Sequence, residues 1–153
     1  MRANISIDGL SSQELLQDWA WLLQKPYTLI AMNNFGDMFL RDEDGAIHFL
    51  VLGVGEVIKV AGSTSDFQQL AGDKDNQQGW FAHGLLTELE RAKMTLESGR
   101  CFGFKKPPIL GGKVELSNIE IVHLGVYISL MGQICQQVRK APSGTEIGGF
   151  KIE

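Results

Sequence analysis

The residues able to do chemistry in this chain are scattered, and none stands at the spacing a reaction needs. Gly112-Lys113 invites a phosphate-loop reading. A phosphate loop would need glycine at position 107 and Ser or Thr after the lysine, where the chain has Pro107 and Val114. Gly53-Val54-Gly55 starts a dinucleotide fingerprint, but Ile58 holds the third glycine position. Asp42-Glu43-Asp44-Gly45 resembles part of a calcium loop, yet its first and last ligand positions would be Leu40 and Val51. His48, His83 and His123 are isolated, without a second His, Cys or carboxylate at metal-ligand spacing. No Gly-x-Ser-x-Gly elbow occurs, and Cys101 sits in an apolar run where a thiol packs rather than attacks. No catalytic residue, metal or cofactor is expected.

Residue types suited to binding are easier to find. Asp42, Glu43 and Asp44 crowd one turn, and Asp73 and Asp75 lie in a polar stretch. Trp21 falls about 200° around a helix from Trp19, away from the apolar face, and reads as a candidate aromatic anchor. Trp80, beside Phe81, poses the same question: one ring faces inward and the other is free for a partner.

The elements that must position these residues read as one α+β domain over residues 1–153. Ser11-Ser12-Gln13-Glu14 is a capping box for a helix that Pro26 ends after Lys25. Tyr27–Ala31, Phe35–Arg41, Ala46–Leu52 and Glu56–Ala61 follow as an antiparallel meander. Alternation around Phe35–Leu40 is poor, which predicts a sheet covered on both faces. Ser63 to Ser65 cap a short helix through Leu70; Asp73–Gln78 reads as a polar loop, and Gln78–Ala92 as one longer helix with Phe81, Leu85 and Leu89 inside. Arg100–Phe104 and Ile119–His123 are strands, with Pro107-Pro108 excluding regular structure between them. Leu124–Val138 is apolar over most of its surface and reads as the central core helix; the tail Ala141–Glu153 is a loop with an edge strand.

Composition agrees with a binding domain. The 153 residues are 44% apolar and 21% charged, with a formal net charge of −4. An acidic domain repels nucleic acid and suits a basic partner. The start shows no signal-peptide pattern, no window reaches membrane-spanning length, and Cys101 and Cys135 form no CxxC, so a reducing cytoplasm is the expected compartment.

Cys101, Phe102, Gly103 and Phe104, then Pro108, Leu110, Gly111, Gly112 and Asn118, form an aromatic-glycine and Leu-Gly-Gly pattern. With Trp19–Tyr27, the hairpin residues Phe35, Gly36, Asp37, Asp44 and Gly45, and Phe67 and Trp80-Phe81, it resembles the C-terminal domain family of type VI secretion DNase-immunity proteins over about residues 16–150. That family, first catalogued as of unknown function, is distantly similar to the SUKH immunity superfamily, which includes fungal cell-wall regulators. The resemblance implies a non-enzymatic immunity protein that binds a cognate toxin, a basic nuclease, in the cytoplasm. The best-understood members carry a further N-terminal domain that also engages the toxin, and this chain is expected to start too late to hold it. The signature residues Phe35, Gly36, Asp37, Gly45, Phe102, Gly103, Leu110, Gly111, Gly112 and Asn118 are expected to be structural. Two other readings stand beside it: a regulatory or scaffold interaction module, and a small-ligand binder or unrecognised enzyme, for which bare backbone at Gly111-Gly112 is the first place to search. Oligomeric state is left open.

Overall fold

The computed structural model describes residues 3–142, 144–147 and 150–151. Four strands, β1 (Thr28–Met32), β2 (Met38–Arg41), β3 (Ile47–Val51) and β4 (Glu56–Ala61), form an antiparallel meander in the order β1-β2-β3-β4. Successive residues of a strand point to opposite faces, so a sheet covered on one face alternates apolar and polar residues. Here β2 buries Met38, Phe39 and Leu40 in succession. Met38 and Leu40 enter one core cluster and Phe39 another, so both faces are covered, as the poor alternation predicts.

The first face packs on α5 (Leu124–Lys140) and on the buried ring of Trp19. The expected helix over residues 12–25 is not continuous. Ser11 accepts a hydrogen bond from the Glu14 N–H, but α1 (Ser12–Leu15) lasts about one turn and a 3-10 turn, Gln17–Trp19, follows. Tertiary packing explains the break. Trp19 Nε1 donates to the Ile128 carbonyl (2.9 Å) and Trp21 Nε1 to the Gly132 carbonyl (3.2 Å), with the two rings stacked 6.0 Å apart. Residues two apart on a regular helix point roughly 200° apart, so a helix could not lay both indoles on α5. Gly132 makes the approach possible, because a Cβ there would lie 2.5 Å from the Asp18 carbonyl oxygen.

The second face gathers Phe39, Ile47, Phe49, Ala61 and Phe67. Phe67 comes from α2 (Thr64–Ala71), whose cap Ser63 accepts from the Asp66 N–H. The stretch 73–78 is not a loop. Asp73 caps α3 (Lys74–Phe81) by accepting from the Asp75 and Asn76 N–H groups. The single helix expected over 78–92 is also divided: Ala82 adopts φ +52° and α4 (His83–Arg91) starts anew. The two helices serve different clusters. Trp80 and Phe81 meet Phe39, whereas Leu86 and Leu89 join Phe35, Phe102 and Ile119. Leu89 is buried and Phe81 and Leu85 pack half-buried on the core as expected, while Leu86, which was not expected there, is buried beside Leu89.

A two-stranded antiparallel ribbon, β5 (Arg100–Phe104) and β6 (Ile119–His123), completes that third cluster. His123 caps α5, its Nδ1 accepting from the Val126 N–H. On α5, Leu124, Tyr127, Ile128, Met131, Gly132 and Cys135 are buried, whereas Val126 is 62% and Leu130 48% exposed. The helix thus serves the core through one face, not most of its surface. Pro108 heads a 3-10 turn, Pro108–Leu110, where a first-position proline loses no hydrogen bond. The tail's strand character takes the form of a separate two-stranded pair, β7 (Glu146–Ile147) with β8 (Phe150–Lys151). Gly148 and Gly149 of that tail lie outside the described residues.

Candidate binding surface

The β2–β3 hairpin tip depends on Asp42. Its Oδ1 accepts from the N–H groups of Asp44 (2.9 Å) and Ala46 (3.0 Å), and its Oδ2 pairs with His48 Nε2 at 2.8 Å. The His48 hydrogen bond holds the Asp42 carboxyl below its ordinary range. Gly45 supplies φ +88° for the tight turn. Asp42 therefore builds the turn, while Glu43 and Asp44 are exposed on it. His48 is thereby satisfied by a carboxylate six residues away. Asp73 is likewise committed to a cap, and Asp75 is exposed beside it.

Neither tryptophan stands free. Trp21 is half-buried with its N–H donated to α5. Trp80 and Phe81 are both half-buried against Phe39, and Trp80 also stacks on Phe67 at 5.7 Å, so the pair does not divide into one inward and one free ring.

The signature residues converge on one region. Phe35 lies 5.7 Å from Phe102 and 6.2 Å from Phe104 between ring centroids. Gly36 takes φ +81°, and Gly103 leaves room for Tyr127 and Val122, either of which a Cβ would meet at 2.8 Å. Asn118 pins the loop between the ribbon strands: its Nδ2 donates to the carbonyls of Lys106 (2.9 Å) and Lys113 (2.8 Å), and its Oδ1 accepts from the Lys106 N–H (2.9 Å). Leu110 is buried, and Gly111 turns with φ +90°. At Gly112 the side a Cβ would take is filled by the Lys106 carbonyl, so only glycine fits there, while Gly111 is exposed and Gly112 half-buried.

Sequence reasoning missed Asn33. This buried amide accepts from the Phe35 (2.9 Å) and Asp37 (3.0 Å) N–H groups through Oδ1. Its Nδ2 donates to Asp37 Oδ2 (3.0 Å) and to the Trp80 carbonyl (2.8 Å), tying the β1–β2 turn to α3. The turn replaces the start of the expected second strand, so β2 begins at Met38 and not Phe35. Asn33-Asn34 ahead of Phe35-Gly36 is the turn signal that could have located it. Asp37 Oδ1 in turn accepts from the Leu52 N–H (2.8 Å).

Asp37 is partly accessible, in a cleft of about 230 Å³ between the β1–β2 turn, the α3–α4 break and the Pro-Pro loop. Phe35, Trp80, Leu85, Phe104, Pro108 and Val114 give it apolar walls. Burial pushes the Asp37 carboxyl up to about 6, against the lowering effect of its hydrogen bonds from Asn33 and Leu52. Cys101 and Cys135 are buried, with thiols pushed up to about 12, foremost by burial. Among the described residues no group of three or more His, Cys, Asp or Glu could hold a metal ion, and no helix is long and apolar enough to cross a membrane.

The chain shares its fold with a solved protein, "Crystal structure of Atu4351 from Agrobacterium tumefaciens", at TM-score 0.55 and 12% identity, over 79% of this chain and 63% of that one. It thus spans less than two thirds of that protein's length. No curated protein matches it. The aromatic-glycine strand, the Leu-Gly-Gly loop and Asn118 all lie within a longer matched segment, whereas the hairpin from Phe35 to Gly45 precedes it. From the end of β4 to Cys135 in α5, residues 61–135, the chain matches the family described as T6SS immunity protein Tdi1, C-terminal.

Proposed function

We propose that this protein is an immunity protein that binds and neutralises a toxic nuclease effector of a type VI secretion system, in the cytoplasm and without catalysing a reaction. The observation that carries the reading is the family match over residues 61–135. The charge supports the nuclease assignment. Nucleases grip phosphate with basic surfaces, and a binder of net charge −4 gains encounter rate and selectivity against them. Glu43 and Asp44 at the hairpin tip and Asp75 on α3 are exposed carboxylates suited to that encounter, while Asp42 and Asp73 shape the backbone that presents them.

Co-expression of the full chain with the product of its neighbouring gene tests the proposal. The expected result is co-purification of the two proteins and rescue of growth from the neighbour's toxicity. A neighbour that is not toxic, or a toxic one that neither binds nor is suppressed, overturns it.

A further inference from the structure

We propose that the Asp37 cleft seats one basic side chain, arginine or lysine, of a protein partner, its alkyl stem against Phe35, Trp80 and Phe104 and its cationic head toward Asp37. The identity of that partner as a toxin rests on the immunity reading; the chemistry of the cleft does not.

Charge complementarity selects the occupant. Of the described residues lining the cleft, Asp37 alone is ionisable. Its two oxygens receive hydrogen bonds from neutral donors, the Leu52 N–H and Asn33 Nδ2, which leaves acceptor capacity and the charge unbalanced. A carboxyl raised toward 6 by burial is what a carboxylate without a counter-cation shows, and a guanidinium or ammonium arriving in the cleft would supply one. The walls suit the rest of such a side chain. Long basic residues lay their methylene stems on apolar surface and place the cation over aromatic faces. Trp80 and Phe104 are the aromatic rings on the lining beside Phe35, and Val114, 64% exposed, is an unshielded apolar residue there. A purely apolar occupant would leave Asp37 charged and desolvated, and an anionic one would be repelled. The cleft also collects Phe35, Asp37, Phe104 and Pro108, which gives these signature positions a binding use in addition to their packing.

The test uses the full chain, n-propylguanidinium as the probe and n-propylurea as its neutral counterpart, followed by amide and indole NMR shifts. Saturable shifts at Asn33, Asp37, Leu52 and the Trp80 indole with the guanidinium alone are expected, weakened about tenfold or more by Asp37→Asn, which removes a charge-assisted contact. Because Asp37 also holds Asn33 and Leu52, a second variant separates loss of the cation site from loss of those bonds. Val114→Lys adds a competing cation without touching those bonds and should weaken the probe similarly. Equal shifts with the urea, or shifts confined to Glu43 and Asp44, overturn the inference. Where an effector is neutralised, unchanged affinity for it in Val114→Lys, with the probe site lost, overturns the cleft as contact and leaves the immunity reading standing. Cation-selective binding with no effector neutralised supports the cleft and overturns the immunity reading.

Discussion

Asp37 and Asn118 show how much of this surface hangs on single polar side chains. Asp37 has a folded-state pKa raised to about 6 from an ordinary 3.8, so the folded chain binds more protons than the unfolded one between those values. Its protonation therefore stabilises the fold at low pH, and that contribution is lost as pH rises from about 4 through about 6. In Asp37→Asn nothing titrates at this site. The wild-type melting temperature should fall relative to the variant's between pH 4.5 and 7, and a constant difference would disprove the assignment. Asn118 makes three hydrogen bonds to the ribbon loop. Asn118→Ala should cost about 2–3 kcal/mol in urea unfolding, at roughly 1 kcal/mol for each bond. The resemblance marked both as structural, but the bonds they make were not legible in the sequence. A lone Asp or Asn carries no spacing signal, and its value comes from backbone groups brought in from elsewhere in the chain.

At the scale of elements, helix ends and breaks were the hardest features to read. Ser63 as a cap, the β4, β5 and β6 spans and the Gly45 turn follow from local signals and agree with the structure. Asp73 caps a helix where polarity suggested a loop, because polarity reports exposure and not conformation. Ala82 ends α3 in the left-handed region, which costs a residue with a Cβ roughly 1 kcal/mol. Ala82→Gly should raise the midpoint of thermal unfolding by a few degrees; a fall would mean that the methyl's packing beside Leu86 and Leu89 outweighs the backbone strain. At the α5 contact the opposite holds. Gly132→Ala should strongly destabilise the chain, because its Cβ would strike the Asp18 carbonyl and lift both tryptophans from the helix. The loss of the Trp19–Trp21 fluorescence environment would report it.

For the whole molecule, the prediction concerns how a partner arrives. Glu43 and Asp44 are exposed and bear no structural side-chain bond comparable to that of Asp42. Reversing both to Lys should lower the association rate of the proposed toxin complex several-fold at low salt, with little change at high salt or in melting temperature. A matching loss of thermal stability would place the effect in folding instead. The sequence by itself determined the α+β class, the meander, the two-faced burial of β2 and the resemblance, because periodicity, turn residues and motif order are local properties of the chain. Only the tertiary structure decided that Asp42 and Asp73 organise backbone, that the Trp21 indole donates to α5 and that only glycine fits at position 112 beside the Lys106 carbonyl. It alone decided that Asp37 meets Trp80, Phe104 and Pro108 in one cleft. Those facts depend on which distant backbone and side-chain groups come into contact, and sequence spacing carries no record of that.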